Sequence, residues 1–287
     1  MDRPIVIDSH VHFWDPARLR YPWLDELPAL RRPRLPADYD ALTDGSVDGV
    51  VVVEANCAPE ESVAEVAFVQ RLAAAEPRIV AMIAYVDLLD ERHRDAALDR
   101  LTASGRVVGV RQNIQGLPGS ICHDDVFVRG VQQVGGLGLT FDLCARASQL
   151  ADVAELVRRC PDTRFVLDHC GKPEIEREAF GPWAASVARI AANGDVCCKL
   201  SGLLTEARPD QRTYDALLPY ADHVLASFGT SRLMYGSDWP VVDIAGGTSA
   251  WRAFTDRLTS SWSPAERRRV YADTALRFYG VPMHAES

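Results

Sequence analysis

The chain contains no run of ~18 consecutive apolar residues, so no membrane-spanning helix is expected. It also lacks an N-terminal apolar h-region and a cleavage site, since Met1-Asp2-Arg3-Pro4 leads straight into a strand-like run. No C-x-x-C pair occurs, which excludes a zinc ribbon and a thioredoxin motif. A G-x-S-x-G elbow and a G-x-x-x-x-G-K-S/T loop are both missing, which removes the serine-hydrolase and P-loop readings. No G-x-G-x-x-G follows a strand-like run, which weakens a dinucleotide reading. Positive charge is in deficit, with 31 Lys+Arg against 40 Asp+Glu and a net charge of −9. That balance argues against nucleic acid or an anionic membrane as the main partner, because both attract basic surface. A small anionic substrate stays open, since a local cationic pocket can oppose the global field.

What is present is ordinary globular composition, 47% hydrophobic and 25% charged. At 287 residues the chain can bury a large core, and length alone leaves one domain or two. Seven cysteines, an odd number, sit mostly in apolar runs as small hydrophobes, which points to a reducing compartment and the cytoplasm. Eight β-branched or apolar runs recur: Ile5–Phe13, Gly49–Ala55, Ile79–Asp87, Val107–Ile114, Leu139–Ala145, Arg164–Gly171, Asp195–Gly202 and Arg232–Pro240. Several are apolar on both faces, as strands of a buried parallel sheet should be. Helical patterns lie between them at Glu60–Glu76, Ser148–Arg159, Phe180–Ala192 and Tyr214–Phe228. A last helix is expected at Pro264–Tyr279, with Ser263 as N-cap, Glu266 closing a capping box and Gly280 as its stop. With no repeat, linker or composition break, this order predicts a single-domain α/β fold, a (β/α)8 TIM barrel over residues 1–287. Trp14–Asp44, after the first strand, reads as a long loop rich in proline and aromatics on the C-terminal face.

Such a barrel carries its chemistry at the C-terminal ends of its strands. The first strand ends Asp8-Ser9-His10-Val11-His12, and residues i and i+2 face the same side, with Cα atoms ~6.6 Å apart. The fourth ends with Arg111 to Gln115, the fifth with Asp142, the sixth with Asp168-His169-Cys170-Gly171-Lys172-Pro173, the seventh with Lys199-Leu200-Ser201-Gly202 and the eighth with Asp238-Trp239-Pro240. A lone histidine at a strand end is more often structural than a ligand. An H-x-H pair joined by a further histidine and an aspartate on the same face points to function instead.

These stretches, together with Ile7-Asp8, Val166-Leu167 and Tyr235-Gly236-Ser237, resemble the amidohydrolase superfamily, and more narrowly its amidohydrolase-2 branch of sugar-lactone and 2-pyrone-4,6-dicarboxylate lactonases. The resemblance runs from the first strand to the last helix and implies the same barrel fold. It implies a polar centre of His10, His12, His169 and Asp238 and a hydrolase, a lactonase opening a small aldono-lactone of the fucono-, rhamnono- or galactono- type. Asp238 is expected as the general base on water, with His10 and His12 polarising the carbonyl oxygen directly or through a metal. His10, His12 and Asp238 are the ligands of one divalent zinc ion if a metal is used. The fifth strand offers Asp142 where relatives place a histidine, and the fourth offers Arg111 and Gln112, so metal-independent catalysis stays equally open. Arg111, Gln115, Lys199, Asp142 and Trp239 are expected to contact substrate, with His169, Lys199 and Arg111 near the oxyanion. Glu206 and Arg208, in the Leu203–Asp210 segment, are expected to reach hydroxyls.

Structural readings stand beside these. Lys199 and Ser201 can simply close barrel hydrogen bonds, and Arg111 can pair with Asp142. Asp168, next to His169, is expected on the opposite face of its strand. The charge run Asp87, Asp90, Glu91, Arg92, His93, Arg94 and Asp95 reads as a solvated helix start, and His123, His223 and His284 show no partner pattern. Two other functions remain: a metal-dependent non-oxidative decarboxylase on a similar barrel, and a non-catalytic small-molecule-binding barrel. The −9 is read as solvated outer helices, because Arg111, Lys172 and Lys199 stand at the mouth.

Overall fold

The computed structural model describes residues 4–193 and 195–282, so His284 lies outside the described residues. The apolar runs become eight short parallel strands in one sheet of sequential order: β1 (Ile7–Val11), β2 (Gly49–Val53), β3 (Ile79–Ala84), β4 (Val107–Val110), β5 (Thr140–Leu143), β6 (Arg164–Leu167), β7 (Cys197–Leu200) and β8 (Leu233–Tyr235). This is the (β/α)8 barrel expected from the pattern. Every strand ends at least two residues inside its expected run. The residues beyond its C-terminal end leave the ladder and turn over the barrel mouth.

Helices cover the outside: α1 (Pro36–Thr43), α2 (Ser62–Ala75), α3 (Arg94–Thr102), α4 (Asp125–Gly136), α5 (Leu150–Arg159), α6 (Phe180–Ala191), α7 (Tyr214–Phe228) and α8 (Gly247–Leu258). The last expected helix is three joined pieces, α9 (Pro264–Arg268), a π-helical turn at Arg269–Asp273 and α10 (Thr274–Tyr279). Its capping box and left-handed Gly280 stand as expected. Helices α4 and α8 have no counterpart in the pattern reading. Three glycines and four valines in α4, and a glycine pair at the start of α8, lower local helix propensity, and packing supplies what propensity lacks. Arg94 departs from the solvated reading of its charge run. Its guanidinium is buried, donating to Gln133 Oε1 at 2.9 Å and Leu88 O at 2.9 Å.

The segment Trp14–Asp44 is not plain loop. It holds α1 and two 3-10 turns, and Trp14 is pinned by donating to Leu30 O at 3.2 Å and Arg32 O at 3.0 Å. The barrel closes between β1 and β8 through a single parallel bridge, Val11 to Trp239. Around it, His12 N donates to Trp239 O at 2.8 Å and Asp238 N donates to His10 O at 2.9 Å. Buried Asp8 ties the same seam, accepting from Ser237 N at 2.9 Å, His10 N at 3.1 Å and the Tyr39 hydroxyl of α1 at 2.6 Å. The closing seam therefore sets the positions of His10, His12 and Asp238. At the opposite end, Ala272, Ala275, Leu276, Phe278 and Tyr279 plug the barrel against Ile7, Val51, Ile83, Val166 and Met234.

Candidate active site

His10 and His12 point inward from the end of β1, their Nε2 atoms 3.1 Å apart. Asp238 Oδ1 lies 3.5 Å from His12 Nε2 and 3.8 Å from His10 Nε2, and Asp238 Oδ2 lies 3.9 Å from His169 Nδ1. The structure thus brings together all four residues expected at the centre. Asp238, His169, Cys170 and Lys172 hold positive φ of 60°, 53°, 52° and 45°, a conformation that costs a non-glycine residue on the order of 1 kcal/mol or more. Those turns swing side chains of adjacent residues to one side. Asp168 is for that reason not on the far face: it points into the barrel beside His169, a correction to strict strand alternation.

Beneath the histidines lies a buried ionic layer. Lys199 Nζ contacts Asp142 Oδ2 at 2.5 Å, Asp168 Oδ1 at 3.0 Å and His10 Nδ1 at 3.0 Å. Arg111 grips Glu54, donating from Nε to its carboxylate and from NH2 to its carbonyl at 2.7 Å, and reaches Asp168 Oδ2 at 3.4 Å. Arg111 therefore pairs with Glu54 and Asp168 rather than with Asp142. Lys199, Asp142 and Trp239 were expected to contact substrate, and the structure places all three out of reach. They are fully buried and do not line the cavity, because Lys199 pairs with Asp142 inside the barrel and Trp239 packs on Phe13 and Tyr39; His10, expected to polarise the carbonyl, is equally buried and lies behind His12 rather than in the lining. Arg208 is likewise occupied, donating to Glu176 O. His123 pairs with Asp152 at 2.8 Å and His223 with Ala184 O at 2.8 Å, so both have structural partners.

Above this layer opens a cavity of about 470 Å³. His12, His169 and Asp238 form part of its lining, Arg111, Asn56, Asn113, Gln115 and Lys172 add polar groups, and Trp23, Leu27, Leu117 and Val241 add apolar surface. Trp23 and Leu27 come from the segment after β1, which does help to finish the pocket. A larger groove of about 660 Å³ runs outside the barrel between α2 and α3, sharing only Tyr85 with the mouth. Its one histidine, His93, is paired with Asp90 at 2.7 Å, so the convergent chemistry lies in the smaller cavity.

Burial alone would raise the Asp238 carboxyl, but the surrounding imidazoles of His169, His12 and His10 hold it well below the usual carboxylate range. It is ionised at neutral pH. Burial pushes His169 down to about 4 from 6.5, against the opposing pull of Asp238 and Asp168, and burial together with Lys199 pushes His10 down as well. Because the folded His169 binds its proton less readily than the unfolded chain, its contribution is complete above pH 6.5 and is lost as pH falls through 4. The loss is on the order of 3 kcal/mol. Asp142, raised to about 6 chiefly by burial, acts in the opposite direction over part of that window. We therefore expect the loss as a difference: urea unfolding at pH 7 and pH 4 should show a steeper fall for wild type than for His169→Gln.

Gly202 is a position where only glycine fits. Its φ is +75°, and a Cβ there would stand 2.5 Å from His169 Cβ. Gly202→Ala is expected to displace His169 and lower kcat/KM about 100-fold, while Gly136→Ala on the outer face of α4, where a Cβ meets open space, leaves it within about twofold. Steady-state kinetics on both variants checks this.

His12 Nδ1 faces Val53 O at 2.9 Å; a carbonyl only accepts, so Nδ1 carries the proton and Nε2 presents a lone pair. A tetrahedral ion at ~2.0–2.1 Å from each ligand holds neighbouring donor atoms ~3.3 Å apart. The spacing of His10, His12 and Asp238 thus admits a divalent cation. A second triad, His10, Asp168 and His169, has its carboxylate already engaged by Lys199 and Arg111.

The amidohydrolase family matches residues 7–281. The chain belongs to the amidohydrolase family. An L-fucono-1,5-lactonase of Burkholderia multivorans is 34% identical, with 98% of each chain aligned. An L-rhamnono-gamma-lactonase of Scheffersomyces stipitis is 25% identical over 61% of this chain and 59% of its own. A crystal structure of an amidohydrolase from Burkholderia multivorans with bound zinc superposes with a TM-score of 0.86 at 31% identity, covering 97% of this chain and 100% of that one.

Sequence reasoning did not single out Glu54, Asn56, Asn113 or Tyr85, nor the pairing of Lys172 with Glu206 at 2.8 Å. Two signals were available. Glu54 is the first charged residue after the apolar run of β2, at its C-terminal end. The chain also has only two lysines, Lys172 and Lys199, and both stand at this site.

Proposed function

We propose that this amidohydrolase hydrolyses a neutral, sugar-derived lactone to its hydroxy acid, and that the mouth of the barrel is where it does so. The observation that carries the reading is the charge state of the cavity. Its two permanent cations are already matched, Arg111 by Glu54 and Asp168, and Lys172 by Glu206. A substrate bearing one or two carboxylates would need a cation free to meet it. A polyhydroxy lactone needs donors and acceptors instead, which Asn56, Asn113 and Gln115 offer, opposite an apolar wall of Trp23, Leu27, Leu117 and Val241. The lactonase names of the relatives support the same class.

In this reading Asp238, ionised and at the cavity floor, takes a proton from a water placed against the lactone carbonyl. The carbonyl oxygen gathers negative charge and is met by the imidazole of His169, which lines the cavity, and by the edge of Arg111. As the tetrahedral intermediate collapses, the ring C–O bond breaks and Asp238 returns its proton to the leaving oxygen, giving an alcohol and a carboxylate. Lys199 and Asp142 take no direct part. A divalent metal held by His10, His12 and Asp238 would supply Lewis-acid polarisation of the carbonyl, and the zinc-bound relative supports that form of the site. We place the enzyme in the cytoplasm, in keeping with seven unbridged, buried thiols; among the described residues no helix is long and apolar enough to cross a membrane.

The test is a panel of aldono-lactones, including fucono-, rhamnono- and galactono-lactones, followed by acid release with a pH indicator, beside carboxylated lactones and aromatic acids. Turnover concentrated on the neutral aldono-lactones is expected. Preference for a dicarboxylate lactone, or carbon dioxide release without lactone opening, would overturn the reading.

A further inference from the structure

The buried side of His10 has a donor where a metal-ligating histidine needs an acceptor. Lys199 has three ammonium protons and three neighbours within 3.0 Å: Asp142 Oδ2, Asp168 Oδ1 and His10 Nδ1. The competing acceptor for a proton on His10 Nδ1 would be Asp168 Oδ1, farther away at 3.4 Å. The open side of the ring gives an independent observation. His12 must carry its proton on Nδ1 to meet Val53 O, so its Nε2 is a lone pair, and it faces His10 Nε2 at 3.1 Å. If His10 Nε2 were also bare, two lone pairs would confront each other at hydrogen-bond distance. Also near His10 Nε2 are Asp238 Oδ1 at 3.8 Å, an acceptor, and Arg111 NH1 at 3.5 Å, at the limit of a hydrogen bond and shared with Asp168 Oδ2 at 3.4 Å.

We propose that Lys199 is a positioning residue: it donates to His10 Nδ1, holds the ring in the Nε2–H tautomer, and makes His10 a hydrogen-bond donor to His12 rather than a ready metal ligand. In the metal-free protein His10 Nε2–H donates to His12 Nε2. A cation binding at His10 Nε2 must first move the proton to Nδ1, against the Lys199 ammonium. Lys199 thereby sets how tightly the H-x-H pair takes a metal, without touching substrate. The inference concerns the resting protein and holds or fails independently of which lactone is hydrolysed.

Two measurements test it. In metal-stripped protein labelled with 15N-histidine, long-range proton–nitrogen correlation spectra, assigned for His10 by the signal lost in His10→Asn, are expected to show Nε2 protonated and Nδ1 bare. A protonated Nδ1 overturns the proposal. The second uses Lys199→Met combined with Asp142→Asn, which removes one charge of each sign from the buried layer. His10 Nδ1–H is then free to donate to Asp168, and zinc is expected to bind at least tenfold tighter than to wild type in competition with a chromogenic chelator. Unchanged or weaker zinc binding by the folded double variant overturns the proposal, and if that variant does not fold, the tautomer in the wild-type protein decides.

Discussion

Replacing Asp238 with asparagine is expected to lower kcat by roughly 10³-fold, the range lost with a positioned general base, while leaving the fold almost untouched. The side chains have nearly the same volume, and the backbone tie from Asp238 N to His10 O at 2.9 Å does not involve the carboxylate. Asparagine can still accept a hydrogen bond from an imidazole but cannot remove a proton from water. The loss should fall on kcat and kcat/KM alike, because proton abstraction belongs to the transition state. Lactone hydrolysis measured beside circular dichroism and thermal unfolding separates the two effects. Turnover within tenfold of wild type would remove Asp238 from the role of base.

Replacing Arg111 with leucine is expected to act through stability as well as chemistry. The guanidinium is the counter-charge shared by Glu54 and Asp168, and all three side chains are almost wholly shielded from water. Removing one partner of such a group costs on the order of 3–5 kcal/mol, because a carboxylate is left buried without a match. For a chain of this size that corresponds to a fall in Tm on the order of 10 °C. Adding Glu54→Gln should recover part of the loss by neutralising the stranded charge, and a double-mutant cycle in thermal unfolding measures the coupling. Arg111→Lys should fall between, since an ammonium keeps the charge but cannot meet the carboxylate and the carbonyl of Glu54 as a planar fork. Equal stability of Arg111→Leu and wild type would contradict the burial argument.

Much of the site was legible because the barrel converts order along the chain into position in space. His12, His169 and Asp238 were recognisable as residues at or beyond strand ends, and parallel strands deliver such residues to one mouth, with His10 deeper, inside β1. Asp142 and Lys199 were equally recognisable as strand-end residues, yet their depth was not. Each lies within its strand rather than beyond its end, so its side chain meets the barrel axis below the cavity. Asp168 was misplaced for a related reason. Strand alternation applies only while the backbone stays extended, and the positive φ of His169 and Cys170 ends it one residue after Asp168. Trp239 looked like a pocket wall because it follows Asp238, but Phe13 and Tyr39 enclose it.

By itself the sequence determined the fold class, the order of the strands and the four ionisable residues at the barrel mouth. Those follow from local periodicity and from the chirality of βα connections, which leave few topologies for such a pattern. Only the tertiary structure decided which charges neutralise one another: Arg111 with Glu54 and Asp168, Lys199 with Asp142 and Asp168, Lys172 with Glu206. These pairs join residues of different strands and strand-end loops far apart in the chain. Their distances depend on barrel closure and on backbone turns that no local pattern encodes. The same holds for the proton on His10, which is set by a lysine 189 positions away.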